Sequence, residues 1–263
     1  MRTLLVGDTH LKNRIILPIV AEKAVALKCQ QIVLLGDYVD EWHQEQKVTL
    51  YRAEMNYLLQ WKQAMIQRGF KVVTLLGNHD SAYLTRTIHP YSLQIASGFE
   101  WVRSQFLQLG LQVALKIDDF LITHAGLCWG NDLETDYFRP ITAQDFRMVK
   151  MLAERVGQAR GGRHWNGSPI WADYEHELLD APNPHFLKQI VGHTPVRQIT
   201  LTSDRPDQLI DIDTFSIHGN FMNHLYGDGS LLLLDHGQLE VVATDWTTAP
   251  AVQTYLHDEI YVH

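Results

Sequence analysis

The chain has 263 residues, of which 46% are hydrophobic and 20% charged, with a formal net charge of −8. Such a chain can bury a sizeable core and is too apolar to be disordered. Its acidic balance, without any Lys/Arg block, gives no electrostatic basis for general binding to a nucleic-acid backbone or an anionic membrane.

In chain order, "TLLVG" (3–7), "QIVLLG" (31–36) and "KVVTLLG" (71–77) are short continuous apolar runs closed by Gly, the pattern of strands covered on both faces. Between them, 16–28 and 48–69 carry apolar residues at helical spacing. The resulting β-α-β-α-β order predicts parallel strands whose C-terminal ends share one sheet edge. Residues 111–126 read as two strands around a turn at Asp118-Asp119, and 142–157 as a helix capped by Thr142. A Gly-rich loop follows at 159–173. Strands are then expected at 188–193, 198–202, 208–213 and within 229–246, the last folded back at "DHG". The mixture suggests two sheets with helices outside, as one domain over 1–263.

No apolar run reaches the roughly 18 residues of a membrane span, and the N-terminus lacks the features of a signal peptide, so a cytoplasmic location is expected. Cys29 and Cys128 are the only cysteines and lie far apart, which argues for buried free thiols rather than a disulfide framework or a Cys-rich metal site.

Chemistry collects where the apolar runs end. "GDTH" brings Asp8 and His10, "GDYVDEW" brings Asp37, Asp40 and Glu41, and "GNHD" brings Asn78, His79 and Asp80. "LITHAG" and "IVGHTP" add His124 and His193. Carboxylates gathered at the end of a buried strand repel one another and lose hydration, so a cation is the simplest compensation. Asp8, His10, Asp37, Asn78, His124 and His193 form a mixed oxygen and imidazole set suited to Mn, Fe, Zn or similar ions. A pair of ions needs a shared ligand, and Asp37 is assigned as the bridge.

These five blocks, in this order, resemble those of the calcineurin-like metallophosphoesterases, most closely their bacterial serine/threonine-protein-phosphatase-like branch. The resemblance implies an α/β fold, a four-layer αββα sandwich of two mixed β-sheets. It implies two divalent metal ions, with manganese the leading choice, and hydrolysis of phosphorylated substrates, whether phosphoprotein, nucleotide or small phosphoester. By it, Asp8 and His10 look like ligands of one metal, Asp37 like the bridge, and Asn78, His124 and His193 like ligands of the other. His79 resembles the catalytic acid and Asp40 its partner. The implied reaction is in-line attack on phosphorus by hydroxide formed between the metals, with His79 protonating the leaving group.

The pattern is broken at three places. The family's protein phosphatases follow the second block with a phosphate-gripping Arg-Gly, but Glu41-Trp42 stand here. An Arg expected soon after Trp171 is missing too. Arg160 and Arg163 are the favoured replacements, with Arg139 and Arg147 behind them. Past "GHTP", Phe215 stands where a Gly is usual, and the extra residues 215–227, with His218 and His224, suggest a lid or substrate wall. Asp80 is expected to cap a turn rather than bind metal. A protein-phosphatase-type phosphomonoesterase is the leading reading. The missing clamp keeps a phosphodiesterase or a nucleotide-polyphosphate (diadenosine tetraphosphate-type) hydrolase in view, and a non-catalytic scaffold is the third possibility.

Overall fold

A computed structural model describes residues 1–201, 208–219 and 223–260. Its first sheet follows from side chains that alternate about the strand axis. Strands β1 (Thr3–Val6), β2 (Gln31–Leu34) and β3 (Lys71–Thr74) run parallel, joined by helices α1 (Asn13–Ala26) and α2 (Val48–Gln67). Leu4, Ile32 and Val72 face α1 and α2, packing with Ile16, Leu17, Tyr51, Met55 and Leu58. Their neighbours Leu5, Val33 and Val73 face the other way. Period-two alternation between two apolar layers is why these strands read as continuous hydrophobic runs.

A second sheet supplies the facing layer. It is ordered β4 (Ala114–Ile117), β5 (Phe120–Thr123), β6 (Lys188–Val191) and β7 (Gln208–Asp211), with β4 antiparallel to β5 and the rest parallel. Ile122, Ile190 and Ile210 meet Leu5, Val33 and Val73 between the sheets. On the outer face of the second sheet, Val191 and Leu209 pack with Ala125, Cys128, Ala172 and Leu178. Helices α3 (Asn78–Thr85), α4 (Ala96–Leu109), α5 (Phe146–Glu154) and α6 (Pro250–Ile260) complete the helical layers. The architecture is an α/β sandwich of two mixed sheets flanked by helices.

Strand β8 (Ile217–Gly219) pairs antiparallel with β9 (Asn223–Leu225) as a separate ribbon. In the first sheet, β10 (Leu231–Asp235) lies antiparallel to β1, and β11 (Gln238–Val242) closes the edge. The β10–β11 turn is made by His236 and Gly237, both at positive φ, as expected for a two-residue hairpin of this hand. Cys29 and Cys128 are buried free thiols. Among the described residues, no helix is long and apolar enough to cross a membrane.

Some boundaries differ from the sequence reading. The helix expected over 142–157 is a 3-10 turn, Ala143–Asp145, followed by α5, which stops at Glu154. Thr142 does open it: its backbone N–H and hydroxyl both donate to Asp145 Oδ2 at 2.7 Å. Residues 198–201 form no strand, and residue 202 lies outside the described part. β6 and β7 pair directly without it.

Candidate metal centre

The C-terminal ends of β1, β2, β3, β5 and β6 meet at one edge of the sandwich, so five separate blocks arrive at a common place. Close approach there depends on two glycines. A Cβ on Gly77 would fall on Asp37 Oδ1, and one on Gly192 would stand 2.6 Å from Asp8 Oδ1. His10, Asp37, Asp40 and His193 all take left-handed backbone, with φ of 38, 50, 66 and 72°. Non-glycine residues adopt that region at a cost of roughly 1–3 kcal/mol each, and such strain concentrates at functional sites.

Two nests share one carboxylate. His10 Nδ1 donates to the Asp40 carbonyl at 2.9 Å, which turns Nε2 inward, 3.8 Å from Asp8 Oδ2 and 3.7 Å from Asp37 Oδ2. His124 Nδ1 donates to the Leu35 carbonyl at 2.9 Å, so its Nε2 faces Asn78 Oδ1 at 3.0 Å and Asp37 Oδ2 at 3.4 Å. His193 Nδ1 lies 3.2 Å from the same His124 nitrogen. Backbone carbonyls thus fix both imidazole tautomers, the usual outer support of a metal-binding histidine.

The donor set fits divalent cations. Asn78 Oδ1, Asp37 Oδ2 and His193 Nδ1 all converge on His124 Nε2, a cluster of oxygen and imidazole nitrogen atoms of the kind that ligates a cation. Among the described residues, Asp8 Oδ2 and His193 Nε2 are buried and find no hydrogen-bond partner. Burial, followed by Asp213 and Asp37, pushes the Asp8 carboxyl well above its ordinary range. Burial also acts against charge on Asp37, yet the surrounding His124, His79 and His10 hold its carboxyl well below that range. Burial, then Arg160, drives His193 well below the ordinary imidazole value, and burial, then His79, lowers His10. Neutral imidazoles among crowded carboxylates are what a cation pair requires. Groupings compatible with one ion are His10–Asp37–His79 and Asp37–His124–His193, each with donor atoms within 4.8 Å, and Asp37 belongs to both.

His79 stands beside this centre. Its Nδ1 is 3.2 Å from Asp40 Oδ2, and its Nε2 is 3.9 Å from Asp37 Oδ2. Burial opposes protonation of the ring, but Asp37 and then Asp40 raise its pKa to about 9. Asp40 is itself fixed: Tyr51 and Tyr83 hydroxyls donate to Oδ1, and the Ser92 hydroxyl donates to Oδ2 at 3.2 Å. No local motif marked Tyr51, Tyr83 or Ser92, because each reaches Asp40 only through tertiary packing. Asn78 and His79 occupy the first turn of α3, where successive side chains diverge by about 100°, and so point to different places.

Asp80 caps, as expected. Its carboxylate accepts from the backbone N–H groups of Asp37, Tyr38 and Gly77 at 2.9, 3.0 and 2.9 Å, tying the loop after β2 to the start of α3. Asp80→Ala would leave these buried donors unpaired. We expect a loss of about 3 kcal/mol or more in stability and of about 10- to 100-fold in metal affinity, checked by thermal unfolding and manganese titration.

A cavity of about 600 Å³ opens over the centre, lined by His10, Asp37, Asn78, His79 and His193 among others. Arg160 reaches it: Nη2 donates to Thr194 Oγ1 at 2.7 Å, and Nε lies 3.0 Å from Asp173 Oδ2. Arg163 does not; it is exposed and outside the lining, although it belongs to the same loop. Arg139 is also excluded, since its guanidinium grips Asp145 at 2.8 Å and Asp136 at 3.0 Å away from the cavity. Arg147 lies on α5 and is likewise outside the lining. Sequence reasoning missed Lys12, which is 1% exposed and lines the cavity, its Nζ donating to the His10 carbonyl at 2.9 Å and to Glu41 Oε2 at 3.2 Å. Its place two residues past His10 was the available signal. Ser216 and Ile217 bring the extra segment to the cavity wall. Residues 220–222 and the His218 side chain lie outside the described part, and His224 is exposed.

A two-sheet sandwich gathers at its strand ends two donor groupings that have one carboxylate in common. The family model for calcineurin-like phosphoesterases matches residues 1–197, and the chain belongs to that family. Comparison with curated protein sequences finds no match. Among solved structures, the chain resembles a mutant form of a cold-active protein tyrosine phosphatase, with 20% identity, a TM-score of 0.60, and coverage of 91% of this chain and 77% of that one. It also resembles the cold-active protein-tyrosine phosphatase of a psychrophilic Shewanella, with 16% identity, a TM-score of 0.55, and coverage of 92% and 80%. At these identities the likeness is one of fold. The family depends on dinuclear metal centres.

Proposed function

We propose that the chain is a phosphomonoesterase of protein-phosphatase type working with two divalent cations, manganese first among them. The observation that carries this reading is Asp37, whose carboxylate belongs to both donor groupings while its Oδ2 also lies 3.9 Å from His79 Nε2. Asp8, His10 and Asp37 would hold one ion, and Asp37, Asn78, His124 and His193 the other. When bound, such ions neutralise phosphoryl charge and lower the pKa of water enough to give hydroxide at neutral pH.

The protein's own groups do the rest. His79, turned by Asp40, presents Nε2 to the cavity and gives its proton to the departing oxygen. Arg160 brings a guanidinium to the cavity wall, its Nη2 on Thr194 Oγ1 and its Nε beside Asp173, a fork of donors of the kind that grips phosphoryl oxygens. Lys12 answers the sequence problem of Glu41: the carboxylate that replaces the family's Arg is paired with a buried ammonium, so the wall is not left acidic. Burial works against charge on Glu41, and Lys12 and His10 lower its pKa despite that.

The test is hydrolysis of p-nitrophenyl phosphate against its bis ester with Mn²⁺. We expect kcat/KM to favour the monoester by about tenfold or more, the scale of one charge-assisted contact. Preference for the diester would reverse the reading toward phosphodiesters or nucleotide polyphosphates. Inactivity on both, with manganese bound, would point to a scaffold.

A further inference from the structure

We propose that Trp42 and Tyr91 form an aromatic corner that binds a flat ring bonded directly to the leaving oxygen, making aryl phosphates the preferred monoesters. This rests on the phosphomonoesterase reading above and adds the chemistry of the leaving group.

The corner adjoins the proton donor and lines the same cavity. The Tyr91 ring contacts His79, the proton donor, with centroids 4.4 Å apart and planes tilted by 43°. A substituent on an oxygen within about 3 Å of His79 Nε2 is therefore only a few bonds from the Tyr91 ring. Trp42 meets Tyr91 edge to face, at 5.6 Å and 74°. Two rings at a steep angle offer an incoming ring one face to stack on and one edge to touch, both favoured aromatic geometries. His89 stacks on Tyr91 at 5.1 Å and 16°, bracing it.

Exposure supports a ligand. Trp42 lines the cavity together with Tyr91 yet is 59% exposed, so a large apolar surface at the mouth of the site faces water. Lone exposed apolar residues are ordinary, but this one adjoins a second aromatic ring and a reacting group. Neighbouring Glu41 does not repel an approaching phosphate ester strongly, because Oε2 takes the Lys12 ammonium and Oε1 takes the Trp42 backbone N–H at 3.1 Å. Trp171, Pro195 and Ile217 also line the cavity and add apolar wall beyond the corner. A ring bonded directly to the leaving oxygen stays within reach of a ring that touches the proton donor, whereas an interposed sugar carries a base several bonds farther away. That geometry favours a phenolic leaving group over a nucleotide.

The test compares kcat/KM for phenyl phosphate, glycerol 2-phosphate and AMP, with Mn²⁺, in the wild type, Trp42→Ala and Trp42→Phe. Taking the ratio to glycerol 2-phosphate within each protein and comparing ratios across variants removes intrinsic leaving-group reactivity. We expect Trp42→Ala to lower the phenyl-to-glycerol ratio by about 10- to 100-fold, the scale of losing one stacking partner, and Trp42→Phe to restore most of it. An unchanged ratio, or a fall confined to AMP, would overturn the proposal. A wild type inactive on all three esters would refute the phosphomonoesterase reading itself. In that case phenylphosphonate binding, followed by tryptophan fluorescence, still decides the corner: quenching lost in Trp42→Ala upholds it, and no binding overturns it.

Discussion

Asp37→Asn is expected to lower kcat by roughly a thousandfold or more and to remove at least one bound manganese per chain. Removing a single stabilising donor from an active site already costs about 10²- to 10³-fold, and this carboxylate serves both halves of the centre. The exchange is nearly isosteric. Asn keeps an oxygen that can accept the His79 backbone N–H, now bonded to Oδ1 at 3.0 Å, and Asp80 still holds the residue 37 N–H. The fold should therefore survive while the bridge loses its charge. Metal analysis of the purified variant, beside its kcat and unfolding temperature, separates the effects. Wild-type manganese content with wild-type turnover would remove Asp37 from the centre.

The strand ends were legible because their side chains answer to a local rule. Apolar runs capped by Gly and followed by Asp, Asn or His announce a polar group at a sheet edge, and parallel connectivity then gathers the edges. Helix α4 was not legible: Phe99, Val102, Phe106 and Leu109 carry the helical period, but Ser97-Gly98 at its start suggest a break. Gly98 is there for packing, since a Cβ would stand 2.8 Å from Leu93. The arginines illustrate the same limit. Arg160 and Arg163 ranked together in sequence, ahead of Arg139, and only the fold shows that Thr194 and Asp173 aim Arg160 at the cavity while Arg163 stays exposed outside it and Asp145 claims Arg139. Lys12 was hidden by its type, because lysines are rarely buried and this one needs Glu41 as a partner 29 residues away.

His79→Ala should lower kcat by about 10²- to 10⁴-fold on alkyl phosphates and by much less on p-nitrophenyl phosphate. An alkoxide leaves poorly without a proton, whereas nitrophenolate is a weak base that departs unaided, so loss of a proton donor must depend on the leaving group. His79 has a rival role, since its Nε2 belongs to a possible ion grouping with His10 and Asp37. The two roles differ in what they predict. A ligand's removal would reduce bound manganese and slow every ester alike; a donor's removal would leave the metal in place and steepen the dependence on leaving-group basicity. Orientation favours the donor: Asp40 holds Nδ1 while its own oxygens are pinned by Tyr51, Tyr83 and Ser92, a rigid support aimed at one ring. Asp40→Asn should accordingly reproduce the steeper dependence in milder form. Equal losses on alkyl and nitrophenyl esters, with depleted manganese, would make His79 a ligand instead.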